Sequence, residues 1–113
     1  MVKITALYGQ PTDPDAFERY YKPSHVPYGL RIPGLKRLDL SKAVGTFDGS
    51  PPAYHRVADL WFENMDALQK AFTSVELKEA VEDLDRFATG GVTIFFSDVD
   101  ELVPPPAKPA VHR

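Results

Sequence analysis

The chain of 113 residues contains no cysteine, which excludes disulfides, thiolate nucleophiles and cysteine-held metals. Histidine is scarce, with three residues in all. No two of them stand four apart as a helical metal-ligand pair requires, so no metal site is expected. There is no surplus of positive charge either. Thirteen Lys and Arg against sixteen Asp and Glu give a net charge of −3, which offers no footprint for nucleic acid or an anionic lipid surface. No apolar run approaches the ~18 residues of a membrane helix. The opening MVKITALYG reads as a strand and lacks the h-region of a signal peptide. A soluble, cytoplasmic domain is the expectation. Two further motifs are missing. No nucleophile elbow or Ser-His-Asp arrangement appears, and Gly90-Gly91 precedes a strand, so it stops a helix and does not cradle phosphate. Nothing in the chain calls for a cofactor.

What remains is an ordinary globular composition, 43% hydrophobic and 26% charged. It suits one domain large enough for a core and small enough to gain from a partner. Residues 1–103 read as that domain, and the proline-rich 104–113 as an extended tail. Val2 to Tyr8 is a β-rich segment closed by Gly9 and Pro11. Asp13-Pro14 supplies an N-cap and a first-turn proline for a helix running to about Lys22, where Pro23 disfavours continuation. A looser segment then carries His25 and Tyr28 to the breaker Ile32-Pro33-Gly34. Leu35 to Val44 and Tyr54 to Phe62 alternate as strands two and three. Asn64 caps MDALQKAF, Ser74 restarts VELKEAVEDLDRF, and Val92 to Val99 is the last strand. The acidic run EAVEDLD reads as a solvated helix face.

The order β-α-β-β-α-β is the ferredoxin-like unit, an α+β fold. It has a four-stranded antiparallel sheet with both helices on one face, strands one and three central and strand two at an edge. One face, Val2, Ile4, Ala6, Leu38, Leu40, Ala58, Leu60, Phe62, Val92, Ile94 and Phe96, is apolar enough to receive the helices. Alternation puts Lys3, Thr5, Leu7, Arg37, Asp39, Ser41, His55, Val57, Asp59, Trp61, Thr93, Phe95 and Ser97 on the other. That second face is too apolar for comfortable exposure, and two copies packed sheet to sheet would cover it. A homodimer is therefore expected, its polar residues lining a central space.

The stretch 17–35 gathers His25 with Tyr20, Tyr21 and Tyr28 at a proline-interrupted helix end. A histidine titrates near neutrality and is the natural general acid or base in a pocket without cofactors. The alternative is a ring that caps the helix C-terminus. His55 and Asp59 fall on the mixed face about 13 Å apart along one strand, with Val57 and Trp61 as an apolar floor. Arg37 and Asp39 point to the same side, either as ligand contacts or as an interface salt bridge reaching His55 or Asp59. Trp61 and Phe95 are walls of the central space, as dimer core or ligand stack. Tyr8 closes the pocket from the end of strand one. Tyr54, by parity with the core set, sits near a strand end where its hydroxyl reaches solvent.

The blocks KITALYGQPTDPDAFERYY, His25 followed by IPGLKR, AYHRVADLWF and FATGGVTIFF, in that order, resemble the EthD domain family over roughly residues 2 to 100. The resemblance implies a dimeric α+β barrel and favours a functional His25, since such sequences usually carry a histidine at the matching place. It does not imply a single activity. The wider superfamily includes cofactor-free cyclases, monooxygenases and decarboxylases, haem-degrading enzymes, and members without demonstrated chemistry. Two function classes follow. One is a cofactor-independent enzyme on a small, poorly polar organic molecule, with His25 moving a proton. The other is a non-catalytic binding or accessory protein of a degradation pathway.

Overall fold

The computed structural model describes residues 1–107, so the end of the proline-rich tail, with His112, lies outside the described residues. The chain runs through β1 (Val2–Gly9), α1 (Pro14–Tyr20), α2 (Val26–Leu30), β2 (Arg37–Lys42) and β3 (Tyr54–Phe62). It continues through α3 (Met65–Phe72), α4 (Val75–Asp83) and β4 (Val92–Asp98). The strands form one antiparallel sheet in the order β2-β3-β1-β4. This is the ferredoxin-like α+β arrangement that the element order implies. Among the described residues, no helix is long and apolar enough to cross a membrane.

The helices start where short polar side chains can take the orphan first-turn N–H groups. Asp13 accepts from the Ala16 N–H at 3.1 Å, Asn64 from Ala67 at 3.0 Å and Ser74 from Leu77 at 3.2 Å. Each such cap stabilises its helix by about 1 kcal/mol. The first helix does not stop at Lys22 as the proline suggests. It widens into a π-helical turn over Tyr21–His25 and runs on into α2, with the Val26 N–H donating to the Tyr21 carbonyl. A widened turn leaves an N–H without its usual carbonyl, and Pro23 has no N–H to leave unpaired. The extra residue shifts the helical phase, and both Tyr21 and His25 end up buried.

A second irregularity sits on the sheet. β1 and β3 pair residue for residue from Val2↔Phe62 to Tyr8↔Arg56, but Gly9 then pairs with Tyr54. His55 is the extra residue of this bulge, and a bulge re-aims the side chain it carries. Gly9 has a separate reason to be glycine: a Cβ there would collide with the Gly90 carbonyl, and one on Gly90 would strike the carbonyls of Gly9 and Gln10. The close approach is held by the Gly9 N–H donating to the Gly91 carbonyl at 2.9 Å.

Two buried clusters fill the space between sheet and helices. One joins Val2, Ile4 and Phe62 to Ile32, Leu68 and Ala71. The other is aromatic, with Tyr8, Phe17, Tyr21 and Phe87 packed edge to face or tilted at 5.1–5.8 Å between ring centres. Contact geometries of this kind add to plain area burial. β4 is an edge strand that the helices cover only partly, so Ile94 and Phe96 remain half exposed although they face the helix side.

Candidate functional site

Between the two clusters the packing opens into a cavity of about 510 Å³. Its floor is the helix side of the sheet, with Ile4, Ala6, Leu38 and Leu60, and its roof comes from α2 and α4. Phe72, Val81, Ile94 and Phe96 line it and are substantially exposed, which marks its mouth beside β4. Among the described residues that line it, Tyr8, Tyr21 and His25 alone carry polar side chains. A largely apolar chamber with a few convergent polar groups is the usual form of a small-molecule site.

Of these three, His25 is held from behind by Asp83, on the last turn of α4 and only 1% exposed. His25 Nδ1 lies 2.8 Å from one Asp83 oxygen. The other oxygen accepts from the Tyr20 hydroxyl at 2.7 Å and from the Arg86 guanidinium at 2.8 Å. Burial pushes the Asp83 carboxyl upward, but the three donors outweigh it and hold it below the usual carboxylate range. An ionised carboxylate can only accept, so the proton on His25 sits at Nδ1 and Nε2 carries the lone pair. Burial lowers the His25 pKa, and the pull of Asp83 in the other direction does not cancel it. The imidazole is therefore neutral at neutral pH. Nε2 faces the Tyr8 hydroxyl at 3.4 Å, and the ring packs against Phe87 at 4.5 Å and Tyr21 at 6.0 Å. Carboxylate, imidazole and hydroxyl thus stand in line, the order in which a buried acid orients a base.

The sheet bulge removes His55 from the face that strict alternation gives it. Its Nε2 contacts Glu18 of α1 at 3.2 Å, and its ring meets Phe17 edge-on at 4.9 Å. Glu18 also takes two hydrogen bonds from Arg56, with Lys42 at 3.7 Å. The Arg56 bond above all holds the Glu18 carboxyl down to about 2. His55 thus pins α1 to the sheet and lies outside the chamber.

The other expected site residues divide likewise. Asp59 stays on the open face, where it accepts from the Thr5 hydroxyl at 2.8 Å and pairs with Lys3 at 3.3 Å. Arg37 pairs with Asp39 of its own strand, not with His55 or Asp59. Trp61 donates its indole N–H to Asp39 at 3.0 Å beneath the cations of Arg37 and Lys3. These residues form one polar-aromatic network on the far side of the sheet from the chamber, so Trp61 is no chamber wall. Tyr54 is 40% exposed at the start of β3. Tyr28 packs against the Ile4–Phe62 cluster with the Arg31 guanidinium over its ring at 5.2 Å. Tyr8, Tyr21 and His25 do line the chamber, and Phe95 borders it.

Asp83, Arg86 and Phe87 are the site residues that sequence reading does not find, and Tyr20 it finds only as a neighbour of His25. The acidic run of α4 is solvated except at Asp83. The available signal is phase: Ala80, Asp83 and Phe87 recur at three- and four-residue spacing and all turn inward.

Comparisons with known proteins agree with this fold. Residues 9–91 match the family model of the EthD domain. The chain is 38% identical over 104 residues to an uncharacterized 11.0 kDa protein of the thcB-thcC intergenic region of Rhodococcus erythropolis, covering 92% of this chain and all of that one. Among solved structures, an ethyl tert-butyl ether D (EthD) family protein of Bacillus halodurans superposes with a TM-score of 0.83 at 30% identity. That match covers 88% of this chain and 99% of the other. SnoaB, a cofactor-independent oxygenase of Streptomyces nogalater, superposes at 0.65 with 16% identity over 92% and 97% of the two chains. That likeness is one of fold.

Proposed function

The chain belongs to the EthD domain family, and from that premise we propose that its chamber takes a small, poorly polar organic molecule on which His25 acts as a proton acceptor. The observation that carries this reading is the placement of His25. Its Nδ1 is fixed on a buried, ionised Asp83, and its lone-pair nitrogen belongs to an apolar chamber. A neutral imidazole held in one tautomer and shielded from water is a competent general base without metal or cofactor. The fold shared with a cofactor-independent oxygenase is compatible with such chemistry and does not specify it. The open face of the sheet supports a homodimer, since half-buried Leu7, Val57 and Trp61 lie there among paired charges.

The base is tested with a ketone whose carbon acid is weak, such as 2-tetralone in deuterated buffer, by following C–H exchange with NMR. Exchange accelerated by about 100-fold or more over buffer, and abolished in His25→Gln, is the expected result. Equal exchange in His25→Gln would remove His25 from the role. Binding without exchange, in both wild type and variant, would favour the accessory binding protein, because apolar enclosure alone supplies most of the affinity in such a chamber.

A further inference from the structure

Tyr21 lines the chamber, is 1% exposed, and its hydroxyl has no hydrogen-bond partner among the described residues. A buried hydroxyl left unpaired costs about 1–3 kcal/mol, so a fold that keeps one in a cavity wall has a use for it. Its neighbour Tyr8 is differently placed. His25 Nε2 can only accept, so the Tyr8 proton is directed at it and the Tyr8 oxygen is left with acceptor capacity. The two tyrosine rings meet at 5.3 Å, nearly perpendicular. The two hydroxyls are near enough to influence each other but do not reach hydrogen-bonding geometry, so the chamber wall presents the Tyr21 donor beside the Tyr8 acceptor and is otherwise apolar.

We infer that the ligand is an apolar, ring-containing molecule carrying a phenolic or enolic hydroxyl, which accepts from Tyr21 and donates to Tyr8. A hydrocarbon would leave Tyr21 unpaired, and a carbonyl would use the donor alone. A hydroxyl uses both through one atom. Burial pushes the Tyr21 hydroxyl up to about 12 and raises Tyr8 as well, so both keep their protons at neutral pH. The same contacts define a proton path. The ligand O–H bond breaks toward the Tyr8 oxygen as the Tyr8 proton moves to His25 Nε2. The result is an imidazolium facing Asp83 and a ligand oxyanion held by Tyr21. This assignment rests on the chamber being the ligand site, and the test separates the two.

Two probes of nearly equal shape, 2-naphthol and 2-methylnaphthalene, are titrated against the full chain by calorimetry or ligand fluorescence. Wild type should prefer the naphthol by about five- to tenfold, the worth of one or two net hydrogen bonds. Tyr21→Phe should cut that preference to about twofold or less and leave the affinity for 2-methylnaphthalene unchanged. The variant should melt no lower than wild type, since it only deletes an unpaired hydroxyl. If it fails to fold, Tyr8→Phe supports the same comparison. Equal affinity for the two probes in wild type would overturn the hydroxyl assignment and leave the chamber reading standing. So would a Tyr21→Phe variant that weakens both alike. Failure of both probes to bind would overturn the chamber reading and this inference with it.

Discussion

His25 and His55 are both 8% exposed, and each has a ring nitrogen close to a helix carboxylate. Their settings differ in what stands on the other side of the ring. Behind His55 the carboxylate is Glu18, with a side chain 27% exposed that is shared with Arg56 and approached by Lys42. His55, Arg56 and Lys42 all turn to Glu18, and none of the four lines the chamber. His25 has its carboxylate, Asp83, sealed in the core, while its second nitrogen looks through a tyrosine hydroxyl into open space. Burial and a carboxylate partner therefore do not distinguish a structural histidine from a chemical one. The free side of the ring does.

The comparison breaks most sharply at the carboxylates. Asp83→Asn replaces an ionised acceptor of three donors with an amide that can accept at one oxygen only. Buried charge networks lose several kcal/mol when one member goes, so urea denaturation should show a loss of about 2–4 kcal/mol. The surviving fold should also lose proton exchange on 2-tetralone, because nothing then fixes the His25 tautomer. A loss below about 1 kcal/mol would mean that Asp83 is not the keystone the geometry makes it. Glu18→Gln should cost less, about 1–2 kcal/mol, because the site is partly solvated and Arg56 keeps the Tyr21 ring beneath it at 5.4 Å. Naphthol affinity should be unchanged by it. If Glu18→Gln erased probe binding while Asp83→Asn spared it, the two histidines would have been assigned in reverse.

Much of this molecule is legible from alternation and punctuation. Val2 to Tyr8 reads as a strand because it is β-rich and closed by Gly9 and Pro11, and Tyr54 to Phe62 because its residues broadly alternate between two faces. Asp13 and Asn64 read as caps because their side chains mimic the carbonyl that a first turn lacks. His25 stands out as a histidine among tyrosines at a proline-interrupted helix end, where a general base and a helix-capping ring read alike in the sequence. The rest depends on displacements of a single residue, which periodicity cannot see. One extra residue in the π-helical turn carries His25 inward past Pro23. One extra residue in β3 carries His55 to the helix side, and the only sequence trace of that bulge is Gly9 across the ladder. Asp83 was hidden for another reason. In EAVEDLD the acidic residues are alike on paper, and which of them turns inward depends on how α4 is docked. A pocket with His25, Tyr8 and Tyr21 is legible in the sequence, but its place on the helix side of the sheet is not. The apolar residues that line it are the ones that would fill a core, and an unfilled space leaves no mark in a pattern of side chains.

The smallest expected effect separates the two sites by pH. Because burial lowers the His25 pKa, the unfolded chain binds a proton more readily there than the folded one. Stability from a neutral His25 is thus fully present above the unfolded value of about 6.5 and declines as pH falls below it. Glu18 works in a lower window: its carboxyl stands at about 2 against an ordinary 4.5, so its contribution holds above 4.5 and is lost as pH falls toward 2. Denaturation curves from pH 7 to pH 3 should then show two separate declines. His25→Gln should remove part of the first, at about 1.4 kcal/mol for each unit by which its pKa is depressed. Glu18→Gln should leave that part in place and flatten the lower decline. Should His25→Gln leave the curve above pH 5 unaltered, the imidazole is not held neutral by burial. The base in the chamber would then have to be sought at the tyrosines, with the histidine as their support.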